Sequence, residues 1–255
     1  MTIYQEILTA KESGKKLLAV LIDPEKIQLD QIYSFVKLVN ESIATHIFVG
    51  GSTDKDHKIA SVVKEIKNYT TLPVILFPGN SNQITSEADG ILFLSLISGR
   101  NPEYLIDQQI DAAFEIQKSD LEVIATGYIL IDGGKETSVQ RVSKTNPILQ
   151  NEYELILKTA LAGQFSGKQL IYLEAGSGAK NPVGAVVINC VKSKLKVPLV
   201  VGGGIHTINQ LNNAYNAGAD MVVIGTAFEN DLAFFNQIKK EKTPFTIKSE
   251  YNRYD

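Results

Sequence analysis

The sequence has a single cysteine, Cys190, in 255 residues. One thiol cannot close an internal disulfide or build a thiolate zinc site. Three histidines, His46, His57 and His206, leave few parts for a Ser-His-Asp device or a multi-histidine metal centre. Cations are not in excess either. Lys+Arg is 25 against 28 Asp+Glu, a net charge of −3, and no run of Lys and Arg forms a basic stripe. The electrostatic footprint of a nucleic-acid binder is therefore missing. Every apolar run is too short to span a bilayer. The opening MTIYQEILTAKESGKK reads as a short amphipathic helix rather than a signal peptide. These absences predict a cytoplasmic protein with no transmembrane segment. No Pro/Ser-rich linker, low-complexity tract or clear repeat divides the chain. Apolar residues make up 44% and charged residues 21%, an ordinary globular composition.

What is present is an alternation. Eight apolar, β-branched runs have strand length: Leu17–Ile22, His46–Gly50, Val74–Phe77, Gly90–Leu96, Val123–Ile131, Leu170–Ala175, Leu199–Gly202 and Met221–Gly225. Several are almost uninterrupted, as parallel strands buried on both faces are. Stretches with helical spacing lie between most of them: Ile27–Ile43, Lys55–Tyr69, Pro102–Gln117, Glu152–Leu161, Pro182–Lys192, Ile208–Ala217 and Ala227–Lys240. Strands alternating with helices predict a parallel sheet of βα units. Only Asn80–Asp89 separates the third and fourth strands, and it holds no convincing helix. The fifth connection, Asp132–Gln169, is long and contains a Gly-Gly turn and a polar stretch around Arg141–Thr145. It reads as an active-site loop followed by a helix. Eight strands with no glycine fingerprint after the first favour a closed barrel over an open doubly wound sheet. The expectation is one modified (β/α)8 barrel domain over residues 1–255, with the helix after the third strand missing or degenerate.

In such barrels chemistry sits at the C-terminal strand ends. The seventh and eighth runs end in Val201-Gly202-Gly203-Gly204-Ile205 and Ile224-Gly225-Thr226-Ala227. Glycines there let a phosphate approach backbone N–H groups, although tight turns with positive φ would also ask for glycine. The sixth run ends in Tyr172-Leu173-Glu174-Ala175-Gly176-Ser177-Gly178. The two-residue period puts Tyr172, Glu174 and Gly176 on one face and Leu173 and Ala175 on the other. A carboxylate at the mouth of an apolar strand is costly unless paired or used. The first run ends in Asp23-Pro24-Glu25-Lys26, which suits either a magnesium-binding carboxylate beside a phosphate-binding lysine or an ordinary helix cap. The second ends in Gly50-Gly51-Ser52-Thr53, which suits a phosphate or metal-bound water, or again a cap. His206, Tyr128, His46 and His57 are weaker candidates. Cys190 reads as a small buried hydrophobe in a helix.

Together, in this order along most of the chain, these motifs resemble the geranylgeranylglyceryl phosphate synthases and their bacterial relatives that use longer prenyl diphosphates. The YLEAGSG segment with the downstream GGGI is the most specific part. The resemblance implies a magnesium-dependent prenyltransferase that joins sn-glycerol 1-phosphate to a polyprenyl diphosphate as an ether and releases diphosphate. It implies Asp23 on Mg²⁺, with Ser52 as a second, weaker contact, and Lys26 assisting the diphosphate. It lays the glycerol phosphate along Tyr172, Leu173, Glu174, Ala175, Gly176, Ser177 and Gly178. Gly203, Gly204, Gly225 and Thr226 hold its phosphate, and Glu174 takes the proton of the attacking hydroxyl. Members of the family are dimers or hexamers, so a homo-oligomer is expected. Two rivals share parts of the pattern. An isomerase, aldolase or indole-glycerol-phosphate-type barrel shares the glycines, but such enzymes usually need a strand-borne lysine, and none of the eight runs contains one. A non-catalytic carrier of prenyl phosphates needs the pocket but not Glu174.

Overall fold

The computed structural model of the protein describes residues 1–51, 57–225 and 234–239. Eight parallel strands close on themselves in sequence order: β1 Leu17–Ile22, β2 His46–Val49, β3 Val74–Leu76, β4 Gly90–Leu96, β5 Glu122–Leu130, β6 Leu170–Glu174, β7 Leu199–Gly202 and β8 Met221–Ile224. The ring is sealed where Leu17 lies level with Met221 and Val20 with Ile224. The expected (β/α)8 barrel is therefore present, and each strand falls within about one residue of its apolar run.

Laterally paired residues of a parallel sheet point the same way, so the register sorts the strands into two layers. Ala19, Phe48, Ile75, Leu92, Tyr128, Tyr172, Val200 and Val223 fill the barrel. Val20, Ile47, Leu76, Ile91, Ile129, Leu173, Val201 and Val222 face outward onto the helices. Burial on both faces explains why the strands read as continuous apolar runs.

The outer ring is α2 Leu29–Glu41, α3 Ile59–Lys67, α4 Gln108–Gln117, α6 Tyr153–Phe165, α7 Ala185–Lys192 and α8 Ile208–Asn216. A one-turn α9, Phe234–Gln237, follows β8. Helix α1, Ile3–Glu12, lies outside the repeat and plugs the barrel floor with Ile3, Ile7 and Ala10. Its start is held from β5, where the Glu122 carboxylate accepts from the Ile3 and Tyr4 N–H groups at 2.5 and 2.8 Å. A carboxylate there satisfies two orphan donors and complements the helix dipole.

Two connections set the shape of the mouth. Asn80–Asp89 forms turns and no helix, as the sequence predicts. The fifth connection departs from expectation. Its polar stretch contains a short helix, α5 Ser138–Ser143, started by Thr137, whose Oγ1 accepts from Gln140 N–H, and ended by Lys144 at φ 52°. Val139 and Val142, three residues apart, share one face of it and turn into the cavity below.

Candidate active site

A cavity of about 360 Å³ opens at the C-terminal end of the barrel. Its head is lined by Asp23, Lys26, Glu174, Ser177, Gly178, Gly203, Gly204 and Gly225. Its tail is apolar and runs past Phe77, Ile84, Leu92, Leu94 and Tyr104 to Ala112, with Val139 and Val142 over it. The tail lies where the helix after β3 would stand in a regular barrel.

Glu174 ends β6 with its side chain turned inward and is only 6% exposed. Its Oε1 accepts from Gly176 N–H at 2.7 Å. Burial raises its pKa to about 7, and the Tyr172 hydroxyl and the Gly176 N–H hold the rise back. Tyr172 lies one layer deeper. Its ring stacks on Phe77 at 5.5 Å and meets the Tyr128 ring edge-on at 5.4 Å. Its hydroxyl sits close enough to Glu174 to favour the charged carboxyl, yet it is buried without a well-formed hydrogen bond. Burial and the Glu174 charge push both the Tyr172 and Tyr128 phenols well above their ordinary range, so both stay protonated.

The glycines of β7 answer both readings left open by the sequence. Gly203 at φ 81° and Gly204 at φ 70° need positive φ, so the tight turn is real. They also provide clearance. A methyl group at Gly203 would collide with Glu174 Oε1, and one at Gly202 would sit 2.6 Å from Glu174 Oε2. The carboxyl therefore rests directly on the glycine turn. The N–H groups of Gly203, Gly204 and Ile205 donate to no described residue, which leaves them able to bind an anion.

Asp23 is not a helix cap. No helix starts at Pro24, and α2 begins at Leu29. Instead Asp23 Oδ1 accepts from Glu25 N–H at 3.0 Å in a local turn, and Oδ2 lies 3.4 Å from Lys26 Nζ. The carboxylate packs on Gly51, where a Cβ would come within 3.1 Å of it. No cluster of three or more His, Cys, Asp or Glu side chains suited to a metal occurs among the described residues. Asp23 is the carboxylate at the head of the cavity that could serve a hard cation taking most of its ligands from phosphate and water.

The barrel thus brings Asp23, Lys26, Tyr172, Glu174, Ser177, Gly178, Gly203, Gly204 and Gly225 to one cavity. Leu173 and Ala175 do not present side chains to it. The strand alternation buries both in the outer layer, and the Ala175 N–H is spent on Gly202 O at 3.0 Å. Gly176 lies just behind the lining, against Thr137, with its N–H held by Glu174. Ser52 and Thr226 fall outside the described residues. His206 reaches the rim, Tyr128 both fills the core and lines the cavity, and His46 is buried in the barrel wall. Cys190 is half-exposed on α7 rather than buried. The apolar tail, with Gln108 and Gln109 beside it, has no motif in the sequence. Its only signals were the leucines at alternate positions of β4 and the missing helix.

The family model described as the PcrB family matches residues 11–242. A geranylgeranylglyceryl phosphate synthase of Flavobacterium johnsoniae is 53% identical over 235 residues, covering 92% of this chain and 97% of that protein. Its counterpart from Pyrococcus abyssi is 42% identical over 220 residues, covering 86% of each. The crystal structure of (S)-3-O-geranylgeranylglyceryl phosphate synthase from Thermoplasma acidophilum with its substrate sn-glycerol-1-phosphate superposes with a TM-score of 0.88 at 35% identity, covering 93% of this chain and 96% of that one.

Proposed function

The chain belongs to the PcrB family, and from that premise we propose that it is a prenyltransferase joining sn-glycerol 1-phosphate to a polyprenyl diphosphate, geranylgeranyl diphosphate in the first instance. One observation supports the reading above the rest. Glu174, a buried carboxyl with a pKa near 7, stands where a glycine-lined head meets a long apolar tail. A small phosphorylated alcohol suits the head and a hydrocarbon suits the tail. The reacting atoms then meet beside the carboxylate.

The alcohol oxygen attacks the first carbon of the allylic diphosphate. A C–O ether bond forms, the C–O bond to diphosphate breaks, and diphosphate leaves with the electron pair. The hydroxyl proton passes to Glu174, whose raised pKa matches a base working near neutral pH. The free N–H groups at Gly203 and Gly204 hold the phosphate of the glycerol substrate by its backbone-facing oxygens. Tyr172 supports the carboxylate from below, and Lys26 faces the diphosphate. Asp23 is the residue suited to Mg²⁺, with Ser52 as the second candidate. The ion, when bound, supplies charge neutralisation of the leaving diphosphate. Holding both reactants in one cavity supplies the remainder of the rate enhancement. A homo-oligomer belongs to the same reading.

The test is direct. Incubation with sn-glycerol 1-phosphate, Mg²⁺ and prenyl diphosphates of increasing length should give a prenyl ether of glycerol phosphate, identified by mass. Absence of any ether product with every chain length refutes the reading. Asp23→Asn should weaken diphosphate binding and its dependence on Mg²⁺. An unchanged magnesium requirement would leave Asp23 with its local turn as its only role.

A further inference from the structure

The tail of the cavity has two walls, α4 and the Asn80–Asp89 connection, and they are tied together by little. Gln108 Oε1 accepts from Ser81 N–H at 2.7 Å, and both residues line the cavity. Among the described residues this is the one hydrogen bond between the connection and α4. The far end of the connection is anchored at Asp89, whose carboxylate accepts from Val74 N–H at 2.8 Å and Lys67 Nζ at 2.5 Å and whose carbonyl accepts from Glu122 N–H at 3.1 Å, while its near end is braced within itself. Gly79 N–H donates to Gln83 Oε1 at 2.9 Å, Gln83 N–H to Asn80 O at 3.2 Å, and Asn82 N–H to Asn80 Oδ1 at 3.0 Å. Breaking the Gln108 tie therefore releases the Ser81 end of the connection from α4. Gln108 itself opens α4, at the point where the π turn Glu103–Asp107 gives way to α-helix. Such turns are frequent at functional sites.

A hydrocarbon running from the Asp23 head towards Ala112 passes this tie, because Gln108 stands one helical turn before Ala112. We infer that the Gln108–Ser81 hydrogen bond is a latch across the tail, and that Gln108 is a specificity-determining residue: the closed latch limits how much hydrocarbon the cavity admits. Chains short enough to end before Gln108 bind with the latch closed, and longer ones bind only as it opens. The inference rests on the prenyl diphosphate reading of the cavity.

The test separates the two. Unreactive allylic thiolodiphosphates, geranyl and geranylgeranyl, are titrated by calorimetry in Mg²⁺ against the wild-type chain and Gln108→Met, which keeps the side-chain bulk and loses the acceptor. The ratio of long-chain to short-chain affinity should rise about fivefold in Gln108→Met, the size of one hydrogen bond of about 1 kcal/mol. Gln108→Glu keeps an acceptor and should hold the wild-type ratio. Hydrogen exchange of the Ser81 amide should be faster in Gln108→Met than in the wild type. An unchanged affinity ratio, or an unchanged Ser81 exchange rate, overturns the latch. Wild-type turnover with sn-glycerol 1-phosphate is scored separately, and its failure counts against the prenyltransferase reading alone.

Discussion

Glu174→Gln should stabilise the protein while removing its activity, and the stabilisation should depend on pH. Glu174 is buried, and burial raises its pKa from the ordinary 4.5 to about 7. The unfolded chain releases this proton near 4.5, whereas the folded protein keeps it until about 7. Below pH 4.5 both states are protonated and the carboxyl has no ionisation cost. As pH rises from 4.5 through 7 the folded state loses ground, and above 7 the loss is complete. A shift of that size corresponds to about 3 kcal/mol. Glutamine cannot ionise, can still accept from Gly176 N–H, and offers an amide N–H to the unpartnered Tyr172 hydroxyl. The variant should therefore match the wild type at pH 4 and exceed it at pH 8. At about 2–4 °C per kcal/mol the gap in Tm is roughly 6–12 °C. Thermal unfolding followed by circular dichroism across this range is the assay. Other titrations, including that of His46, are common to both proteins and cancel in the difference. A Tm difference that is the same at pH 4 and pH 8 would refute the claim that burial of the charge is what Glu174 costs. Retention of near wild-type turnover would refute its role as base.

Three further outcomes follow from neighbouring residues. Tyr172→Phe removes the hydroxyl that favours the charged carboxylate, so the ascending limb of the pH profile of kcat/KM should move to higher pH; a profile that stays in place or moves down contradicts the contact. Gly203→Ala forces a Cβ into a residue at φ 81° and against Glu174 Oε1, so it should cost at least about 1 kcal/mol in urea unfolding and abolish turnover. His46 is buried and neutral, and burial lowers its pKa from 6.5 to about 4. Protons then bind the unfolded state first, so His46 withdraws up to about 3 kcal/mol as pH drops from 6.5 to 4, against the gain from Glu174 over the same range, and the stability of His46→Leu relative to the wild type should rise by that amount between pH 7 and pH 4, read as the difference of their urea midpoints.

The strands were legible because a barrel buries both faces of each one, and an apolar run bounded by polar turns needs no long-range information to be seen. Glu174 was legible for a related reason. The two-residue period of a strand assigns its direction, and a carboxylate aimed into a barrel mouth is too costly to be incidental. The same period argues against side-chain contacts from Leu173 and Ala175, which the resemblance had placed beside the substrate. Asp23 was ambiguous because Asp-Pro opens helices as readily as it opens turns. What rules out the helix cap is the five further residues before Leu29, where the chain has already turned away. The short helix α5 was hidden because six residues with two valines carry no periodic signal. The tail was hidden because its walls come from β4, α4, α5 and an irregular connection that meet only in three dimensions.

The shortage of cations noted in the sequence now has a structural counterpart. A site for two phosphorylated substrates ordinarily invites a cluster of Lys and Arg, and this cavity has Lys26 as its lining lysine. On the proposed reading the work of holding phosphate would pass to the backbone N–H groups of the positive-φ turn at Gly203 and Gly204. Those same glycines make room for the Glu174 carboxyl. A lysine in that space would neutralise the carboxylate and pull its pKa back down, leaving a weaker base. Neutral donors hold an anion without doing so. The scarcity of lining cations therefore goes with a Glu174 carboxyl whose burial raises its pKa to about 7, and the glycine turn leaves room for that carboxyl beside backbone N–H donors.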